Sequence, residues 1–133
     1  MAADAGVLRL LDANLNRARE GLRVVEDTAR FVWNDEAMYR RVRALRHKLH
    51  DLTAASYKKL VASRDSDADA GRKMKEASRS SLAAVVSANV RRAEEAVRVL
   101  EEYSKVFSPK AAAGFKAVRF AVYQEEKRIL KRL

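Results

Sequence analysis

No cysteine occurs among the 133 residues, which excludes a disulfide framework and a thiolate metal site and points to a reducing compartment, the cytoplasm. One proline and four glycines leave few places to break a helix. No window reaches the roughly 18 uncharged apolar residues of a membrane span. The start, MAADAGVLRLLDANL, lacks the basic stretch and long apolar run of a secretion signal. A soluble chain with no membrane partner is therefore expected. Also missing are a glycine-rich phosphate cradle, a Walker motif, and any Ser-His-Asp or Cys-His arrangement. Aromatic residues make up 7% of the chain and do not alternate with its basic residues. A net charge of +10 and a pI near 10.2 raise the question of nucleic acid. Lys and Arg are interleaved with Glu and Asp, as in RRAEEAVRVLEE, rather than gathered on one stripe, so nucleic-acid binding is disfavoured.

What the sequence has is helix-forming Ala, Leu, Arg, Lys and Glu, and a repeat. ANLNRAREGLRVVEDTARFV, Ala13 to Val32, returns 75 positions later as ANVRRAEEAVRVLEEYSKVF, Ala88 to Phe107, with eight identities that are mostly polar. The shared ladder is Asn-x-x-Arg-x-x-Glu-x-x-Arg-x-x-Glu. A hydrophobic core constrains polar positions only loosely, so the ladder points to two copies of one unit related by a pseudo-twofold axis. Leu8, Leu11, Leu15, Ala18, Leu22, Val25, Ala29 and Val32 are spaced alternately three and four apart, which predicts a helix over about 5–32. Asp35 and Glu36 open a second helix, about 35–62, with its seam at Met38, Val42, Leu45, Leu49, Leu52, Ser56 and Leu60. SRDSDADAGR, residues 63–72, is the expected linker, and the serines at 78–81 a further kink. A third helix, with Val86, Val90, Ala93, Val97, Leu100, Ser104 and Phe107 in register with the first, ends near Ser108. Ser108 and Pro109 then cap and open the fourth, with its seam at Ala111, Phe115, Val118, Val122, Glu125 and Ile129. Ala44-Leu45-Arg46 precedes Ala117-Val118-Arg119 by 73 positions. Each repeat is thus a helical hairpin, 5–62 and 73–133. The expected fold is a single all-α domain, a four-helix bundle of two repeated hairpins.

Beside the first seam runs a second stripe: Leu10, Asn14, Arg17, Gly21, Val24, Thr28 and Phe31. Its mate is Val85, Asn89, Arg92, Ala96, Val99, Tyr103 and Val106. Each places an Asn and an Arg one turn apart in an apolar sector, and buried polar groups must find partners. The pair either bridges helices and fixes register or receives a ligand: Arg forks suit phosphate or carboxylate, and an Asn amide suits the edge of a heterocycle. Glu20, Arg23, Glu26 and their mates Glu95, Arg98, Glu101 project further from the seam, with Glu26 and Glu101 at its edge. Solvated helix pairing is the commoner role for such residues. His47 and His50, three apart, lack the further ligands of a metal site and read as surface histidines. Asp65, Asp67 and Asp69 alternate like the start of a calcium loop but lack its later Glu. A magnesium-phosphate role or a solvated loop remains for them.

The motifs LLDANLNRAREGLRVVEDTARF, LRHKL, SRD followed by DAG, ANVRRAEEAVRVLEEYSK and FKAVRFAVYQEEK, over about residues 8 to 128, resemble in order the helical domain attached to the N-terminal side of many bacterial thiamine-phosphate synthases. Departures are Phe120 in place of a Tyr, Arg72 after Gly71 in place of a Thr, and no synthase barrel following. The chain is therefore either a stand-alone form or a cut domain. The resemblance implies thiamine biosynthesis, a phosphorylated aminopyrimidine ligand, and hydroxymethylpyrimidine-phosphate kinase activity with ATP and Mg²⁺. It places shared polar positions on Asn14, Arg17, Glu20, Arg23, Glu26, Arg46, His47, Arg64, Asp65, Asn89, Arg92, Glu95, Arg98 and Glu101. Asn14 or Asn89 would read the ring, Arg17, Arg92, Arg46 or Arg64 would hold phosphate, and Asp65 or Asp69 would hold the metal. The alternative is a non-catalytic helical module that oligomerises or docks onto the synthase; a homo-oligomer is expected.

Overall fold

The computed structural model describes residues 4–133. Asp4 caps α1 (Ala5–Asp27), its carboxylate accepting from the Val7 N–H at 2.8 Å. The helix then widens into a π turn, Thr28–Val32, where the Thr28 hydroxyl donates to the Val24 carbonyl at 2.8 Å. Asn34 stops it with φ at 50°, a left-handed position that Asn tolerates. Asp35 closes the turn by donating its N–H to the Ala29 carbonyl, and its carboxylate caps α2 (Glu36–Thr53) through the Met38 N–H at 3.0 Å. A 3₁₀ turn over Ala54–Ser56 leads to the short α3 (Tyr57–Ser63). Ser81 caps α4 (Leu82–Ser104), and Ser108, followed by Pro109 at the first helical position, caps α5 (Pro109–Arg132). No strand occurs among the described residues, and no helix is long and apolar enough to cross a membrane.

The four long helices form a closed ring in which α1 packs on α4, α4 on α5, α5 on α2 and α2 on α1, while α3 lies against α1. The heptad seams supply the core: Leu15, Ala18, Leu22 and Val25 of α1 meet Val90, Ala93, Val97 and Leu100 of α4, with Val42, Leu49, Phe115, Val122 and Ile129 filling the remainder. Each of these buried Val, Leu, Ile and Phe side chains contributes about 1.5–3 kcal/mol.

The bundle is an all-α pair of hairpins, as the repeat implies, and its contacts recur in pairs. Arg46 of α2 forks onto Glu26 of α1 at 2.8 and 3.3 Å, and its mate Arg119 of α5 forks onto Glu101 of α4 at 2.9 and 3.1 Å. Where Arg41 of α2 meets Glu125 of α5 at 2.6 Å, the corresponding partners Gly114 and Leu52 meet on the other side of the axis. A Cβ on Gly114 would stand 2.5 Å from Leu52 Cδ2, so the glycine is what lets that leucine pass. The same closeness occurs where α1 crosses α4. A Cβ on Gly21 would lie 2.7 Å from the Asn89 carbonyl oxygen.

Three details depart from the sequence reading. The second helix, expected as one rod over about 35–62, breaks at 54–56, because the Thr53 hydroxyl turns back to the Leu49 carbonyl at 2.8 Å. The linker, expected at 63–72, continues to Ser81, since nothing from Arg72 to Ser80 is buried and even Met74 is 73% exposed. Glu26 and Glu101, expected in solvated pairing, are buried and held by arginines of the neighbouring helix.

Candidate functional site

The N-terminal half of α1 and the chain that leaves α3 enclose a cavity of about 340 Å³. Gly6, Arg9, Leu10, Ala13, Asn16 and Arg17, at helical spacing, form one wall, and Arg64, Asp65, Ser66 and Asp69 form the other. Asp12 fixes the two walls together. Its buried carboxylate accepts from Arg64 Nε at 2.7 Å and Nη2 at 2.9 Å, a bidentate fork that also raises the Arg64 pKa above the ordinary guanidinium value. Arg9 has no carboxylate within ion-pair distance among the described residues, and Arg17 touches only the Asn14 amide oxygen, at 3.5 Å. Two guanidinium groups outside any ion pair therefore line the cavity, opposite the carboxylates of Asp65 and Asp69. Asp65 and Asp69 each spend one carboxylate oxygen on a loop N–H, of Ala68 at 3.1 Å and Gly71 at 2.9 Å, leaving the other free. Among the described residues no three His, Cys, Asp or Glu side chains gather as a ready metal cage. Two carboxylates on one loop suit an ion that takes its remaining ligands from water and phosphate, as Mg²⁺ does.

Asn16 also lines a second, smaller cavity of about 300 Å³ with Arg19, Glu20, Arg23 and Arg46. Arg23 is paired with Asp27, and Arg46 is committed to Glu26, whose hydrogen bond raises its pKa against the opposing effect of burial. The ladder thus divides. Arg17 and Arg64 share the first cavity, Glu20, Arg23 and Arg46 the adjoining one, and His47 lies on the outer face of α2 beside Arg43 and Asp51. Asn14 and Asn89 are not on the wall of the first cavity, and neither is Arg92. Each Asn donates its side-chain N–H to the carbonyl one turn back, Leu10 at 2.9 Å and Val85 at 2.8 Å, next to the crossing of α1 and α4. Arg92 and Glu95 are exposed on α4, and Arg98 pairs with Glu101 and Glu102.

Sequence reasoning missed three of the residues that matter here. Asp12 and Arg9 belong to no repeated string; the only signal for Asp12 was an acid one residue from the seam. Glu94 is the third. It is 8% exposed, its Oε2 has no hydrogen-bond partner, and it faces Glu126 of α5. Burial, and then the hydrogen bond and charge of Glu126, push its carboxyl up to about 7.

The fold is thus a helical bundle whose first cavity sets Arg9, Arg17 and Arg64 among Asp12, Asp65 and Asp69. Residues 9–128 match the ThiD2 family, and the chain belongs to that family. It is 41% identical over 127 residues to a thiamine-phosphate synthase of Nostoc punctiforme, covering 93% of this chain and 35% of that one. It is 45% identical over 124 residues to a thiamine-phosphate synthase of a Synechococcus species, covering 92% and 35%. The synthase of that name from Rhodopirellula baltica is 40% identical over 124 residues, covering 88% and 32%. The chain thus spans about a third of the length of the curated relatives it matches. No solved structure matches it.

Proposed function

We propose that the chain acts in thiamine biosynthesis, binding a phosphorylated aminopyrimidine in the cavity between α1 and the α3–α4 loop and phosphorylating it with ATP to the diphosphate. The observation that carries this reading is the pair of guanidinium groups outside any ion pair, Arg9 and Arg17, on the wall of a cavity where Asp12 holds a third arginine in place. Membership of the ThiD2 family and the synthase relatives support the pathway. Phosphoryl transfer asks a protein chiefly for positioning and charge neutralisation, so the lack of a nucleophilic side chain is no obstacle. Arg9, Arg17 and Arg64 would hold the substrate phosphate. Asn16, half-buried between the two cavities, offers one acceptor and two donors for the pyrimidine edge. An oxygen of the substrate phosphate attacks the γ-phosphorus of ATP, the bond from that phosphorus to the bridging oxygen breaks, and ADP departs with the electron pair. Asp65 and Asp69 would hold Mg²⁺, which neutralises charge on the transferred group.

The decisive experiment is incubation of the purified chain with hydroxymethylpyrimidine phosphate, ATP and magnesium, followed by chromatography of ADP and pyrimidine diphosphate. Stoichiometric ADP and diphosphate are expected, with Arg17→Ala losing turnover by about 10²–10³-fold, as for removal of one transition-state donor, while its helical circular dichroism is kept. Absence of both turnover and ligand-induced thermal stabilisation would sink the reading. A docking module is the second reading, and a particular observation favours it: Phe120, Tyr123 and Leu130 leave an apolar stripe on the outer face of α5.

A further inference from the structure

The two hairpins are not equally filled, and the difference opens a further cavity. Five positions around the α1–α2 corner recur around the α4–α5 corner with their chemistry kept: Arg23 as Arg98, Glu26 as Glu101, Arg30 as Lys105, Arg43 as Lys116 and Arg46 as Arg119. In the first hairpin Tyr39 occupies the space among these charges. Its ring centre is 5.2 Å from the Arg30 guanidinium, and it is an electrostatic neighbour of Arg46. The residue 73 positions later is Ala112. With the ring gone, about 340 Å³ is left, bounded by Arg98, Glu101, Lys105, Lys116 and Arg119 and floored by Pro109, Ala112 and Ala113. That volume sits at the small end of ligand pockets.

The charges do not cancel within it. Glu101 takes Arg119 at 2.9 Å and Arg98 at 2.9 Å, and Glu102 takes Lys105 at 2.7 Å and Arg98 at 3.0 Å, so two carboxylates face four cations. Lys116 has no carboxylate within ion-pair distance among the described residues; it stands 6.0 Å from the Phe120 ring centre. We infer that this corner is a second anion site, which takes a small phosphate ester: the phosphate against Lys105, Lys116, Arg98 and Arg119, and a flat apolar body on Pro109, Ala112 and Ala113, where the first hairpin carries its own tyrosine ring. It shares no residue with the cavity between α1 and the α3–α4 loop. The inference therefore stands independently of the proposed kinase reaction.

Phenyl phosphate, a ring and a phosphate joined, is the probe. Titrated into the ¹⁵N-labelled chain, it is expected to shift the amide signals of Lys105, Ala113 and Lys116 along one saturable curve. Ala112→Tyr restores the occupant of the first hairpin and should weaken this binding at least about tenfold, a loss of ~1.4 kcal/mol. The charge reversal Lys105→Glu with Lys116→Glu, at two exposed positions, should weaken it as much without touching the core. Arg17→Ala, in the other cavity, should leave it unchanged. The inference is overturned if the shifts map only to Gly6–Arg17, if they vanish in Arg17→Ala, or if the charge-reversed variant titrates like the parent. Should Ala112→Tyr not fold, the charge-reversed variant alone decides. Loss of kinase turnover in Arg17→Ala with this titration retained would separate the two sites.

Discussion

Glu94 is the residue whose surroundings least suit its charge. It sits on α4 against Glu126 of α5, with Arg91 and Glu95 as its charged neighbours on its own helix, and one of its oxygens is buried without a partner. A carboxylate there would face both desolvation and a like charge, so the folded protein holds the proton up to about 7 against an ordinary value of 4.5. Between those values the native state binds more protons than the unfolded chain. The contribution of this group is therefore fully present below about 4.5 and is lost as pH rises through about 7, the reverse of the usual salt-bridged carboxylate. Glu94→Gln keeps the shape and removes the titration. Melting curves of variant and parent should coincide near the low end of that window and diverge above its upper end, with the variant higher by roughly 3–5 °C at alkaline pH. A constant offset at every pH would mean that Glu94 stays ionised in the folded protein.

At the scale of elements, the crossing of α1 and α4 depends on one missing methyl group. Gly21 lets the Asn89 carbonyl approach to where a Cβ would be 2.7 Å away, and backbone cannot swing aside as a side-chain tip can. Gly21→Ala should gain helix propensity yet lose overall, by about 1–3 kcal/mol in denaturant melts, because overpacking forces the helices apart. A variant more stable than the parent would show that the crossing has slack. The repeat mate Ala96 already carries a methyl group, so the duplicated surfaces fit each other without being identical. The helices themselves were legible because their seams repeat every three and four residues, and Asp35, Ser108 and Pro109 mark starts that the structure keeps. The break after Thr53 was not legible, since a hydroxyl that bonds its own helix leaves no mark in the apolar pattern. The cavity was legible only in part. Arg17 stood out in the repeated stripe and Arg64 through the family strings, while Asp12 became visible only when the chain brought Arg64, 52 residues away, onto its carboxylate. A pairing that distant has no local signature. Asn14 and Asn89 show the converse: the repetition that singled them out is matched by identical bonds to the preceding turn.

For the whole molecule, the question is what a net charge of +10 does. Much of the arginine charge is neutralised where it stands: Arg41 and Arg128 share Glu125, Arg46 holds Glu26, Arg64 holds Asp12, Arg98 and Arg119 share Glu101, and Arg132 reaches Asp35. The excess lies in separated places, including Arg9 and Arg17 at one cavity and Lys116 at another, on different helices. Affinity for a polyanion grows with the number of phosphates neutralised together, and log K falls with log salt by about 0.9 per phosphate on duplex DNA. Scattered patches engage only a few phosphates at once. Duplex DNA should therefore bind weakly and without sequence preference, with a shallow salt slope of roughly −2 to −3, and release by about 200 mM salt. Fluorescence anisotropy of a labelled duplex across a salt series measures the slope directly. A slope of about −6 or steeper would mean that the basic residues act as one surface, and salt-resistant discrimination between two sequences would mean that they read base edges. Either result would make nucleic acid the primary ligand and demote the two cavities to parts of its footprint. The shallow slope, by contrast, is what two compact sites for small phosphates require, because each concentrates its charge over the width of one ligand.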